Sequence, residues 1–346
     1  MSEQADAMGA KGRPEREGDP VNVKPLLEVD GLRTHFFTKA GVVKAVDDVS
    51  FTLAAGEVLG LVGESGSGKS MTGYSLMGLI DPPGRIVGGS IRLRDSELTT
   101  LSAEGMRSLR GNRLAMIFQD PMMTLNPVLR VDRQMTEAIL AHAKVSEREA
   151  LARSREALVK VGIASPDERL MAYPHQFSGG MRQRVAIAIA LLNRPDVSIA
   201  DEPTTALDVT IQGQILYEVQ KLSRELGTAL IWITHDLSVI AGLADRICVM
   251  YAGRIVEQGT TEDVLTHPAH PYTQGLLDSV PSRNPPGERL RQIPGMTPSL
   301  LDVAPGCAFR ERCTRATAIC ETMPDMLPAP RGGEGHAMRC HHPLAD

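Results

Sequence analysis

A chain of 346 residues with 42% hydrophobic side chains is long enough for one large domain with additions, or for two smaller ones, and can bury a substantial core. Its net charge of −5 suggests no strongly basic face and argues against nucleic acid as the main partner. No apolar run approaches the roughly 18 residues of a membrane-crossing helix; the best, Val185 to Leu192, has eight, so the chain is not expected to span a membrane by itself.

In chain order, residues 1–24 are polar and charged, lack the apolar core of a secretory signal, and read as a disordered tail. Short strands are then predicted at Leu26–Val29, Val42–Val46, Val49–Leu53, Val58–Val62 and Ser90–Leu93. Between the strand Val58–Val62 and a helix start at Met71–Met77 lies Gly63-Glu64-Ser65-Gly66-Ser67-Gly68-Lys69-Ser70, the pattern G-x-x-x-x-G-K-[ST]. In a strand–loop–helix the glycines let the backbone curl, so that successive N–H groups and the helix N-terminus face one anion. Lys69 would reach the β- and γ-phosphates of a nucleotide, and the Ser70 hydroxyl would ligate Mg²⁺.

Leu114–Phe118 is a further strand, closed by Gln119, whose amide oxygen could also serve the metal. Residues 120–176 are helical and charge-rich, with stretches such as Arg133–Ala143 and Glu147–Val161. Phe177-Ser178-Gly179-Gly180-Met181-Arg182-Gln183-Arg184 then precedes the apolar helix Val185–Leu192 and offers a second anion cradle. A chain with one phosphate loop has little use for a second cradle unless it serves another chain's nucleotide. The strand Val197–Ala200 runs into Asp201-Glu202, one acid to hold Mg²⁺ through water and the other to polarise the attacking water. A helix from Ala206 to about Leu226 carries an apolar face, Ala229–Ile233 and Arg246–Tyr251 are strands, and His235 follows the first of them.

Past about His267 the composition shifts: twelve of the 23 prolines and four of the five cysteines lie in residues 268–346. This segment is expected to be a small irregular appendage outside the main sheet. With a nucleotide site and no export signal, the cysteines imply a reducing, cytosolic setting, in which metal or cluster binding outranks disulfides. Cys307, Cys313, Cys320 and Cys340 are spaced C-x5-C-x6-C-x19-C, unlike the paired C-x2-C knuckles of a zinc ribbon. Four thiolates in a proline-stiffened lobe suit a [4Fe–4S] cluster, whose ligands need only converge in space. Zinc, with His336, His341 or His342, and reduced structural thiols are the alternatives. Cys248 reads as a small buried apolar residue.

The order of these motifs over roughly residues 26–260 resembles the ATP-binding subunits of ABC transporters. The resemblance implies an α/β P-loop NTPase fold over 25–262: a RecA-like core, an antiparallel β subdomain and a helical subdomain at about 120–185. In it Gln119 matches the Q-loop, Asp201 and Glu202 the Walker B pair, Thr205-Ala206-Leu207-Asp208 the D-loop and His235 the switch histidine. Phe36, with Phe37 as the alternative, matches the aromatic that stacks on adenine. Ser178, Gly179, Gly180 and Met181 match the signature that caps the γ-phosphate on a partner subunit. The commonest signature has Leu and Gln where this chain has Phe177 and Met181.

That departure, with Ile117-Phe118-Gln119-Asp120-Pro121, Leu125-Asn126-Pro127 and His270-Pro271-Tyr272-Thr273, looks like the bacterial oligopeptide/dipeptide importers. This narrower resemblance implies a 263–346 extension and an ATPase peripheral to the cytoplasmic face of the inner membrane. It also implies a second, different ATPase subunit, two membrane permeases and an extracytoplasmic binding protein. Some members carry a [4Fe–4S] cluster in the extension. Peptides, nickel chelates, glutathione and sugars are all cargoes of similar chains. A soluble ABC ATPase of DNA repair or translation usually carries a long coiled coil, a zinc module in the core or two cassettes. A binding protein with a degenerate loop would lack the intact Lys69, Asp201, Glu202 and His235.

Overall fold

The computed structural model describes residues 24–204, 209–281, 284 and 291–345. The expected tail at 1–23 and the tetrapeptide Thr205–Asp208, with its candidate Asp208, lie outside the described residues. Two sheets dominate. The smaller is antiparallel, in the spatial order Gly41–Leu53, Leu27–Thr38, Gly84–Leu93, Ser96–Glu97. Its two long strands replace shorter predicted ones. Register shifts between Val29 and Leu32 and again near Thr34 interrupt the two-residue alternation from which strands are read.

The larger sheet runs Leu327–Pro328, Ala337–Met338, Arg254–Thr260, Arg246–Tyr251, Val58–Val62, Ala229–Thr234, Val197–Asp201, Leu114–Ile117. The last five strands pair in parallel. Every residue of Val58–Val62, Val197–Asp201, Ala229–Thr234 and Leu114–Ile117 is buried. Strands covered on both faces must be apolar throughout, which is why these four read as continuous runs. The register Val62↔Thr234 and Asp201↔Ile233 brings their carboxyl ends to one edge. Whatever follows Val62, Ile117, Asp201 and Thr234 is therefore gathered there by the ladder itself.

Residues 120–191 form the helical part. Val131, Met135 and Ile139 make the buried stripe of helix Val131–Leu140, and Ala150, Ser154 and Leu158 that of helix Glu147–Lys160. Ser146 caps the second helix, its Oγ accepting from Glu149 N–H at 3.2 Å.

The extension differs from expectation. It is not confined to an appendage: Ala337–Met338 and Leu327–Pro328 extend the main sheet. Proline is excluded from central strands because it lacks a ladder donor, but Pro328 lies on the outermost strand, where one side needs no pairing. The join is held by Glu257, fully buried on strand Arg254–Thr260. Its carboxylate accepts from Ala269 N–H (2.7 Å), His270 N–H (2.9 Å) and His336 Nε2 (2.8 Å). A buried carboxylate so surrounded is stable only while its donors stay in place, so it ties both ends of the extension to the core. Tyr251, Tyr272 and Phe309 pack with ring centroids 4.6 to 5.4 Å apart and seal the same junction.

Candidate nucleotide site

The loop after Val62 turns at glycines that nothing else could replace. A Cβ on Gly68, at φ 103°, would lie 2.3 Å from the Ala45 carbonyl oxygen. One on Gly63 would lie 2.2 Å from the Met250 carbonyl oxygen. Both the conformation and the space demand glycine. Helix Lys69–Leu76 starts directly from Gly68, so its first N–H groups open into the loop. Lys69 is buried and donates to the Gly63 and Glu64 carbonyls at 2.8 and 2.9 Å. Burial lowers its pKa, against the attraction of Glu202, Asp201 and Glu64. A phosphate would find there a desolvated cation and a row of donors.

Ser70 Oγ donates to Asp201 Oδ1 at 2.9 Å. Asp201 is 2% exposed, and burial raises its pKa against the Ser70 bond. A hydroxyl and a desolvated carboxylate side by side fit a divalent cation, which would supply the missing positive charge. Next to them Glu202 has φ 43°, a left-handed conformation that costs a non-glycine residue about 1–3 kcal/mol. Its backbone N–H remains tied to Ile233 O at 3.0 Å. Its carboxylate meets His235 Nδ1 at 3.2 Å and accepts from Gln119 Nε2 at 3.3 Å. Thus Lys69, Ser70, Gln119, Asp201, Glu202 and His235, spread over 167 positions of sequence, occupy one cleft edge.

The candidates for adenine and for the signature lie on other elements, strand Leu27–Thr38 and the start of helix Gly179–Leu191. The Phe36 ring and Ile80 occupy the space where a side chain on Gly84 would lie, while Phe37 is 40% exposed with the Arg85 guanidinium 4.3 Å from its ring centroid. Ser178 caps helix Gly179–Leu191, its Oγ accepting from Met181 N–H at 3.3 Å. Ser178 and Gly179 are exposed and Gly180 half-buried, while Phe177 is buried and anchors the loop. Arg182 donates to the carbonyls of Pro174 and Phe177, which fixes the entry to the helix.

The cysteine expectation is not supported as it stood. Among the described residues no group of three or more His, Cys, Asp or Glu is arranged to hold a metal ion. The thiols are nevertheless neighbours: burial pushes Cys340 up to about 11, helped by the nearness of Cys307, Cys313 and Cys320. The zinc alternative loses its histidines. Both ring nitrogens of His336 are engaged, by Glu257 and by the Arg331 carbonyl at 2.7 Å, and His341 and His342 bond threonines. Cys248 is fully buried with its thiol pushed up to about 12, as a small apolar residue would be.

The reading of the sequence missed the extension's share in this site. Glu64, in the phosphate loop, accepts from Arg312 Nη1 and Nη2 at 2.6 and 2.9 Å and from Thr297 Oγ1 at 3.2 Å. Its N–H donates to Tyr272 Oη at 2.8 Å. Burial opposes ionisation of Glu64, but the bonds and charge of Arg312 outweigh it and hold the carboxyl below its ordinary range. No local pattern pairs residues more than 200 positions apart.

Residues 46–205 match the family model of the ABC transporter, and residues 256–320 that of the oligopeptide/dipeptide transporter C-terminal region. The chain is 48% identical to the oligopeptide transport ATP-binding protein OppD of Salmonella typhimurium over 94% of its own length and 96% of the relative's. The chain belongs to the ABC transporter ATP-binding subunits of the oligopeptide/dipeptide family. It is also 49% identical to the dipeptide transport ATP-binding protein DppD of Bacillus subtilis, over 86% of the chain and 90% of the relative. A dimeric ATP-binding cassette, MJ0796, solved in a post-hydrolysis state with ADP and Pi, superposes with a TM-score of 0.62 at 25% identity. That match covers 68% of this chain and 98% of the cassette. This ABC subunit is an ATPase, and its parallel sheet, antiparallel sheet and helical part form the fold of such cassettes. No helix among the described residues is long and apolar enough to cross a membrane.

Proposed function

We propose that this subunit powers the import of di- and oligopeptides through a membrane ABC transporter, by ATP-driven closure of two ATPase subunits followed by hydrolysis. The observation that carries the reading is the 48% identity to an oligopeptide transport subunit through 94% of the chain, extension included. The chain would work at the cytoplasmic face of the inner membrane, with a second and different ATPase subunit, two permeases and an extracytoplasmic binding protein. Its parts would be an ATPase domain at 25–262 and an extension at 263–346.

In this reading the main-chain N–H groups of Gly63–Ser70 and the Lys69 ammonium bind the β- and γ-phosphates. Ser70, Gln119 and, through water, Asp201 would hold Mg²⁺, which offsets phosphate charge when bound. Glu202 orients the attacking water and accepts its proton, and His235, already on the Glu202 carboxylate, keeps that group in place. Phe36 stacks on adenine. Ser178, Gly179, Gly180 and Met181 would reach the partner's nucleotide, and Asp208 would be the D-loop aspartate. Purified transporter in proteoliposomes should accumulate labelled tripeptide only with ATP inside and binding protein outside. ATP-dependent uptake of a nickel chelate or glutathione without peptide uptake would replace the cargo assignment.

The [4Fe–4S] cluster on Cys307, Cys313, Cys320 and Cys340 is a separable part of the proposal. The nearness of the four thiols supports it, whereas the present placement of side chains does not assemble ligands. Anaerobically purified protein should be brown, with about four irons per chain. Metal-free protein with four titratable thiols would remove the cluster and leave the ATPase reading intact.

A further inference from the structure

Glu64 is the meeting point of the phosphate loop and the extension, and all of its polar groups are assigned. Its carbonyl accepts from Lys69, its N–H donates to Tyr272 Oη, and its carboxylate receives both Arg312 amino groups and the Thr297 hydroxyl. The side chain of Arg312 is 6% exposed and is itself held, by the Pro294 carbonyl at Nε (2.8 Å) and by Tyr251 Oη at Nη1 (3.3 Å). Its guanidinium also lies 5.8 Å from the Tyr251 ring centroid and 5.9 Å from that of Phe309. Tyr272 is fully buried. The contact borders an open cleft of about 650 Å³ whose lining includes Glu64, Ser65, Glu202, His235, Thr297 and Arg312.

A bidentate guanidinium gives a carboxylate two charge-assisted hydrogen bonds and cancels its charge. Left alone, the Glu64 charge would stand in the same cleft as the catalytic groups and repel the phosphates that Lys69 attracts. We propose that Arg312 and Tyr272 are positioning residues for ATP: Arg312 cancels the charge of Glu64, and Tyr272 fixes its backbone. The loop that binds phosphate is in this sense built by two segments more than 200 residues apart. This assigns a task to the Tyr of His270-Pro271-Tyr272-Thr273, and it rests on reading Gly63–Ser70 as the phosphate loop.

ATP binding to the full-length chain, titrated calorimetrically, tests the inference. Arg312→Ala should weaken ATP about tenfold, the scale of exposing one unpaired charge beside an anion. The double change Glu64→Gln with Arg312→Ala should recover to within about threefold of the parent, since the repelling charge is gone. Tyr272→Phe keeps the ring packing and removes only the acceptor, and should weaken ATP severalfold. In the assembled transporter Arg312→Ala should raise KM for ATP and leave kcat at saturating ATP little changed. An unchanged ATP affinity in Arg312→Ala overturns the inference. So does a double variant as weak as the single one, because a purely structural brace would not be rescued by Glu64→Gln. Unchanged binding in Tyr272→Phe removes Tyr272 from it even if Arg312→Ala proves unstable. Lys69→Ala is the control: if it too binds ATP normally, the phosphate-loop reading has failed rather than the inference.

Discussion

Glu202 is held in a left-handed backbone conformation at the end of a fully buried strand, with Gln119 and His235 on its two carboxylate oxygens. Strain of this kind persists only where the surroundings over-determine it, here through the Ile233 carbonyl and the neighbouring strand. The arrangement aims one carboxylate at the cleft and leaves Asp201, one residue earlier, on Ser70. Glu202→Gln is therefore expected to bind ATP normally and to hydrolyse it about 10²–10⁴-fold more slowly, the usual size of a general-base contribution. Phosphate release by the assembled transporter measures it, and near-normal turnover would show that another group activates the water. Lys69→Ala should act on binding instead, because it removes the buried cation that donates to the Gly63 and Glu64 carbonyls and to the Ser67 hydroxyl. Equilibrium titration with ATP should show a large rise in Kd, and an unchanged Kd would mean that the phosphates lie elsewhere.

Among the elements, the strand Ala337–Met338 is flanked by a buried ion pair. His336 precedes it, and its ring donates to Glu257 Oε1 and to the Arg331 carbonyl, an arrangement that uses both N–H groups of the charged imidazole. Burial works against that charge, but Glu257 chiefly, with the Arg331 carbonyl and Asp263, raises the pKa above its ordinary value. A raised folded-state pKa gives stability that is complete below the unfolded value of about 6.5 and is lost as pH rises through the folded value. Residues 327–345 should accordingly exchange amide hydrogens faster at about pH 9 than at about pH 6, relative to the central strands after correction for intrinsic rates. His336→Gln should abolish the difference. A protection ratio that is flat across this range in the parent protein would place the join in the aromatic cluster rather than in the ion pair.

At the scale of the whole molecule, the phosphate loop and Ser178 occupy different parts of the chain. The loop is gathered into the sheet edge, whereas Ser178 and Gly179 stand exposed at the start of a helix in the helical part. An exposed helix N-terminus with a hydroxyl cap is a phosphate site in search of a phosphate. The isolated chain is expected to hydrolyse ATP slowly and to gain at least about tenfold when a second cassette supplies the other half of each site, as transition-state contacts made across an interface would. Light scattering combined with a turnover assay decides it: a monomer with full activity would refute the shared site.

What the sequence determined by itself was local. The phosphate loop, the buried parallel strands and the acids at their ends are legible because each is one short run whose pattern follows from burial on both faces or from glycine geometry. Given the parallel strands, even the gathering of Gln119, Glu202 and His235 at one edge could be expected. The full length of the antiparallel strands is not legible, since register shifts at Val29, Leu32 and Thr34 break the alternation. Proline content made 268–346 look like an appendage, yet its strands join the sheet, because an edge tolerates the donor that proline lacks. Only the tertiary structure could decide that Glu64 is neutralised by Arg312 and braced by Tyr272. Partners more than 200 residues apart leave no periodic trace in the chain, and it takes the packed core to bring their charges within hydrogen-bonding reach.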